Sequence, residues 1–369
     1  MIMFILFLCV SLCAIAAQLS KRSQIWFMLI SMIMLAVVMG GSYDCADYAN
    51  YMRQYNYIEL SNINFFPDDG GYSLINLIFK NWGFEYDEFR FVLDVLLLSL
   101  MFYVIYKILG EVYSLTTLFI IFPLAFDAVQ VRNFILEVIL LVGIYLYAKE
   151  KSKSMKKLML SLMIAFSFHK TAVFFMLIYP LVKCAKFKLG RVLIFVLIMF
   201  GLCMPLYADY ILANNMDVYY YLSSVENIDH YQYYALDEFE KRHITSWAVT
   251  IIYIFVIYWI RRKLKKNSVD SFTTRYADIT YEFAKLMCLL LPFFPILQDL
   301  DRLVRDLTIP LYILVILYIK QVNMLSKSIV YYASLFMIAC AVGYVKLYHG
   351  LGDMVWPLLE NNHLFDLFK

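Results

Sequence analysis

Apolar residues in this chain come in long blocks separated by short polar or charged segments, and block length is the first informative quantity. About ten blocks approach the roughly 20 residues that a helix needs to cross a hydrocarbon core of about 30 Å. The predicted spans are residues 2–19, 24–40, 91–108, 113–126, 134–148, 192–207, 244–260, 279–297, 307–319 and 328–348. Pro123 predicts a kink in the fourth. The apolar piece Tyr72 to Phe79 is too short to cross and predicts an interfacial helix or a re-entrant piece. Leu158 to Val182 is long enough but is interrupted by His169-Lys170, where a lipid-facing helix should carry no ionisable group.

Charge between the blocks gives their direction. Lys21-Arg22, the run Lys149, Lys151, Lys153, Lys156, Lys157, and the cluster Arg261-Arg262-Lys263-Lys265-Lys266 mark the cytoplasmic side by the positive-inside rule. If Leu158–Val182 were one crossing, Lys183, Lys186, Lys188, Arg191 and the Arg261 cluster would all lie outside. Two short arms meeting at His169-Lys170 return both clusters to the cytoplasm, and that is the preferred reading. Such a broken or re-entrant hairpin is tolerated at membrane depth where it lines a protein-enclosed or wet cavity. The external loops are then about residues 41–90, 208–243 and 298–306, acidic and rich in tyrosine, with the C-terminal tail 349–369 also outside.

Composition agrees with a membrane solvent. The 369 residues are 63% hydrophobic and 17% charged, well away from the roughly 45–50% apolar and about 25% charged of soluble domains. No linker or fixed-period repeat divides the chain, so residues 1–369 are expected to form a single integral membrane domain. A formal net charge of +3 gives no reason to expect a nucleic-acid partner. Of the seven cysteines only Cys45 sits in a polar loop, and no CxxC pair occurs, which argues against a disulfide framework or a zinc site. Lys21 and Arg22 follow the first apolar block instead of preceding it, so Met1 to Leu19 is expected to be a retained span and not a cleaved signal. No Walker loop, dinucleotide glycine pattern, HExxH or GxSxG is present, which sets aside ATP-driven and nicotinamide chemistry. No cofactor is expected, and no metal-ligand spacing is recognisable, although outer Asp groups could bind a divalent cation.

This topology brings Arg132, His169, Lys170, Arg302 and Arg305 to the outer face with the carboxylates Asp44, Asp47, Asp299 and Asp301. Arginines bind diphosphates by paired hydrogen bonds and stay charged at every physiological pH. Histidine or a carboxylate can deprotonate an attacking sugar hydroxyl. Structural roles compete at each position. Arg132 would equally anchor a helix at headgroup level or pair with Glu137, Lys170 would snorkel, and Arg302 and Arg305 would pair with Asp299, Asp301 and Asp306. His169 would be a satisfied polar turn residue, and Asp44 and Asp47 ordinary loop residues. The tyrosines near Tyr48, and those at Tyr219-Tyr220-Tyr221, suit sugar stacking and an interfacial belt alike.

Four stretches carry a resemblance to a family: Gly41-Ser42-Tyr43-Asp44-Cys45-Ala46-Asp47-Tyr48-Ala49-Asn50-Tyr51, Gly70-Gly71-Tyr72-Ser73-Leu74-Ile75-Asn76, Val131-Arg132-Asn133, and Phe166-Ser167-Phe168-His169-Lys170-Thr171-Ala172. In order and spacing they resemble the EpsG-like group of Wzy-type polysaccharide polymerases over nearly the whole chain. Arg132-Asn133 stands where the family commonly has Arg-Gln, and Asp69-Gly70-Gly71-Tyr72 where it has Glu-Pro-Gly-Tyr. The resemblance implies an all-α, GT-C-like polytopic enzyme of the bacterial cytoplasmic membrane. It would join oligosaccharide repeat units carried on undecaprenyl diphosphate, beside a flippase and a chain-length regulator. Arg132 with Arg302 or Arg305 would hold the diphosphate, His169 would be base or orienting group, and Asp44 or Asp47 would hold sugar hydroxyls or share the base role. Lys170, Asp299, Tyr48 and Tyr72 complete the expected substrate-binding set. Two rivals share the features: a flippase for the same lipid-linked glycan, and a ligase-like glycosyltransferase with another acceptor.

Overall fold

The computed structural model describes residues 24–63, 70–150, 154–207, 236–267, 270–293, 300–321, 325–347 and 354–363. Among these residues the chain is all-helical, with no strand beyond one isolated antiparallel bridge between Ser42 and Asn362. It divides into two compact units, Met1–Val173 with Tyr312–Lys369, and Phe174–Leu311.

In the first unit, α1 (Gln24–Gly40) packs along α4 (Tyr86–Leu109), with α2 (Tyr48–Tyr57) and α3 (Gly70–Asn81) between them in sequence. The approach of α1 to α4 is close at Gly40, where a Cβ would stand 2.6 Å from the Phe91 Cα. The segment expected to be an external loop with one interfacial or re-entrant piece at Tyr72–Phe79 thus carries two helices, α2 and α3. Lys80 closes the end of α2 by donating to the carbonyls of Asn56 at 2.7 Å and Ile58 at 3.1 Å. Glu85 and Glu88 form a capping box that starts α4 five residues earlier than the apolar block does.

The chain continues through α5 (Tyr113–Ile121), α6 (Leu124–Val129), α7 (Val131–Lys149) and α8 (Ser154–Phe168). The predicted span 113–126 is split at Phe122-Pro123, because proline lacks the N–H that a continuing helix requires. Helices α7 and α8 form the tightest pair, and Gly143 lets Leu158 and Ser161 approach it. The helix then breaks at His169–Thr171 and resumes as α9 (Ala172–Met176) and α10 (Ile178–Cys184), so Leu158–Val182 is not one continuous helix.

In the second unit, α11 (Lys188–Leu202) and α12 (Leu236–Lys266) both pack on α13 (Ser271–Leu290), followed by α14 (Leu300–Arg305). Gly201 seats α11 against the carbonyl of Cys288, 2.6 Å from where a Cβ would stand. Asp270 accepts from the N–H groups of Phe272 and Thr273 and so starts α13 eight residues before the predicted span. The chain ends through α15 (Thr308–Lys320), α16 (Leu325–Leu347) and α17 (Trp356–Glu360). Within the first unit the tail is tied to α1 by Asn362, whose Nδ2 donates to the Val37 carbonyl at 2.8 Å.

Four described helices are long and apolar enough to cross a membrane: Tyr86–Leu109, Val131–Lys149, Ile244–Lys266 and Lys327–Leu347. Ile25–Gly40 is a shorter apolar helix, and Ala172–Cys184, which holds α9 and α10, is a shorter apolar helical stretch. These stretches make the chain a membrane protein. The predicted first span and most of the 208–243 loop lie outside the described residues.

Candidate functional site

The site is built on the loop that leaves α1. Gly41 to Asp47 turns sharply, with Asp44 at φ 52° and Asp47 at φ 64°, left-handed conformations that Asp tolerates better than most residues. Both side chains are exposed, and Asp47 occupies the N-cap of α2 without a side-chain hydrogen bond to it. The loop backbone is held from below by Arg90. Its fully buried guanidinium donates to the Ser42 carbonyl at 2.6 Å, the Ser42 Oγ at 3.0 Å and the Ala128 carbonyl at 2.6 Å.

Helix α2 turns one aromatic face inward, with Tyr48, Tyr51 and Tyr55 at i, i+3 and i+7 and all three buried. Tyr48 donates to Asp87 Oδ1 at 2.7 Å and Tyr55 to the Phe84 carbonyl at 2.8 Å. Burial pushes the Tyr55 phenol up to about 12, with Glu88 adding to it. Burial and the bond to Asp87 push Tyr48 up as well. Tyr51, between them, carries the Arg132 guanidinium 5.3 Å from its ring centroid. It also meets the Tyr72 ring edge-on at 5.7 Å.

Tyr72 belongs to the Gly70-Gly71-Tyr72 start of α3, and Gly71 explains how α3 reaches α8. A Cβ at Gly71 would stand 2.7 Å from both the carbonyl oxygen and the Oγ of Ser167. Ser167 lies two residues before His169, which is 5% exposed at the break, while Lys170 is exposed. Contacts therefore run from Arg132 to Tyr51, from Tyr51 to Tyr72, and from Gly71 to Ser167, beside His169. A ring-mounted guanidinium is oriented, and its planar fork is the shape that diphosphate recognition uses.

A family model described as the EpsG family matches residues 25–358. The chain belongs to the EpsG family. No curated protein and no solved structure matches it. EpsG membership is associated with polysaccharide polymerases and supports a polymerase-like, glycosyltransferase-like role on a lipid-linked saccharide. The match covers all four stretches singled out in the sequence, which lie between Gly41 and Ala172.

Arg302 and Arg305 stand on α14 in the second unit, Arg305 buried to 7% exposure, and Asp299 lies outside the described residues. Sequence reading passed over the polar interior of the EpsG chain's first unit. Arg90, at the end of the acidic segment 41–90, is the buried tie between two segments. Asp94, one turn further along α4, is fully buried, and neither of its oxygens has a hydrogen-bond partner among the described residues. Asp127 and Glu137 are buried too. A lone acid inside the apolar run Val92-Leu93-Asp94-Val95-Leu96 was the available signal for Asp94.

Proposed function

We propose that the chain is the polymerase that joins undecaprenyl-diphosphate-linked oligosaccharide repeat units into a capsular, exo- or O-antigen polysaccharide. It works as a multi-pass, GT-C-like protein of about ten crossings plus a hairpin at His169-Lys170, with its site on the outer face of the bacterial cytoplasmic membrane. The observation that carries this reading is the contact series from Arg132 through Tyr51 and Tyr72 to Gly71 and Ser167. It joins residues from stretches about 120 positions apart in the chain, ending at Ser167, two residues before His169.

In this reading the growing glycan is the donor. A hydroxyl at the non-reducing end of the next unit attacks the anomeric carbon, and the bond from that carbon to the diphosphate oxygen breaks. Arg132 takes the charge that develops on the departing diphosphate. His169 accepts the hydroxyl proton or orients the hydroxyl. Asp44 and Asp47, exposed on their left-handed turn, hold sugar hydroxyls. Lys170 attends the lipid-linked anion, and Arg302 and Arg305, with Asp299, are further substrate-binding positions. A flippase and a chain-length regulator are the expected partners.

The test supplies purified lipid-linked repeat units to the reconstituted full chain. A ladder of polymer is expected from the wild type and its loss from Arg132→Ala and His169→Ala. Long polymer made by both variants, normally inserted, would show the assignment to be wrong. A single transfer would indicate a ligase, and translocation without coupling a flippase.

A further inference from the structure

Beyond the last residue matched by the family model lies a short strap that the proposed site depends on. Residues 361–363 run antiparallel to Gly41-Ser42-Tyr43, with the Tyr43 N–H donating to the Asn361 carbonyl and the His363 N–H to the Gly41 carbonyl, both at 3.0 Å. Asn362 is fully buried, and its Nδ2 donates to the Val37 carbonyl at 2.8 Å. Glycine is required opposite it, because a Cβ at Gly41 would stand 2.7 Å from the Asn362 Oδ1. The next residue faces the site's support. His363 stacks on Tyr43 with ring centroids 4.4 Å apart and places Nε2 at 3.1 Å from Asp87 Oδ2.

Asp87 is the link. Its other oxygen accepts from the Tyr48 hydroxyl at 2.7 Å, and Tyr48 lies one helical turn before Tyr51, the ring that carries Arg132. Asp87 is thus fixed from two sides, by α2 through Tyr48 and by the strap through His363. Nothing in α2 itself performs that second function, since the N-cap residue Asp47 makes no side-chain bond to the helix. Without the strap, Asp87 would be held through Tyr48 alone, whose ring also packs against Tyr86 and Arg90 of α4.

We propose that His363 is a positioning residue for the Arg132 site. Acting through Asp87 and Tyr48, it sets the angle at which α2 presents the Tyr51 ring to the Arg132 guanidinium. A guanidinium mounted on a ring recognises a diphosphate only if the ring is fixed, so the strap governs affinity for the lipid-linked anion. The inference rests on the proposed role of Arg132. It adds that substrate binding needs residues about 230 positions further along the chain.

The experiment uses the full chain in vesicles with undecaprenyl-diphosphate-linked repeat units, and measures kcat and KM for coupling alongside thermal unfolding. His363→Phe keeps the stacking on Tyr43 and removes the link to Asp87. It is expected to raise KM roughly two- to fivefold, the range that follows from losing one partly exposed ion pair, with kcat and Tm nearly unchanged. His363→Gln, which restores a donor, should recover most of the loss. Combining His363→Phe with Tyr51→Leu should raise KM no further than Tyr51→Leu alone, because both act on the same ring. An unaltered KM in His363→Phe, or a KM in the double variant equal to the product of two independent effects, overturns the inference. Full polymerisation by Arg132→Ala overturns the site itself, so the two failures are told apart.

Discussion

The guanidinium of Arg90 and the backbone carbonyl of Ala128 are joined at 2.6 Å, and the same side chain holds Ser42 through both its carbonyl and its hydroxyl. Ser42 opens the loop that leads into α2, and Ala128 lies four residues before Arg132. One buried cation therefore ties together the two segments whose side chains meet as Tyr51 and Arg132. Arg90→Lys preserves the charge, but a single ammonium cannot span three acceptors on two segments. The replacement should cost about 2–4 kcal/mol, because buried acceptors lose charged donors. Thermal unfolding of the detergent-solubilised chain checks this, and an unchanged transition would mean that the three bonds do not hold the loop.

Gly71 makes a sharper geometric prediction. An added methyl would meet the Ser167 carbonyl oxygen at 2.7 Å and its carbon at 2.9 Å, both backbone atoms that cannot swing aside. Gly71→Ala should therefore push α3 from the end of α8, at a cost of about 1–3 kcal/mol, and lower polymerisation in proportion. Gly343→Ala, whose nearest neighbour is the Ile121 carbonyl at 3.1 Å, is the control and should cost less. Equal melting temperatures for the two variants would exclude the close approach.

Period and charge made the local features of this fold legible. The break at His169-Lys170, the split at Pro123 and the helix beginning near Tyr72 were all visible in the sequence, because an ionisable pair, a proline or a short apolar run is a local signal. Two kinds of feature escaped. Helix starts set by caps, such as Asp270 and Glu85, lie in polar segments that hydropathy assigns to loops. The tie of Asn362 to Val37 joins residues 325 apart, and no pattern in either neighbourhood announces it. In the candidate site, Arg132 and His169 were legible as charges in apolar surroundings. Arg90 was hidden because it sits at the boundary between an acidic loop and a span, where a cation looks ordinary.

Asp270 should make stability depend on pH at the start of α13. Burial raises its carboxyl, but the hydrogen bonds from Thr273 and Phe272 outweigh it and leave the group below its ordinary value. The native state therefore binds the proton more weakly than the unfolded chain does. The cap's contribution is complete above the unfolded value of about 3.9 and is lost as the pH falls through the native value. Asp270→Ala should destabilise the chain by about 1 kcal/mol at pH 7, and the gap should close under acid. Asp270→Asn should keep most of the cap and show no such closure. A gap that stays constant between neutral pH and pH 3 would exclude the ionised cap.

Tyr72 separates folding from function most cleanly. Its ring packs against Tyr51 at 5.7 Å and Phe89 at 6.3 Å, so its aromatic body belongs to the support under Arg132. Its hydroxyl is buried and has no hydrogen-bond partner among the described residues. A buried hydroxyl in that state weakens the fold, and removing it is expected to leave stability unchanged or raise it by up to about 1 kcal/mol. Tyr72→Phe should therefore melt at or above the wild-type temperature. If the hydroxyl is spent on the lipid-linked glycan or its diphosphate, the same variant should lose roughly tenfold in kcat/KM, about the value of one hydrogen bond to a charged group. A variant that is both more stable and less active would mark Tyr72 as a substrate contact, and one that keeps full activity would confine it to packing.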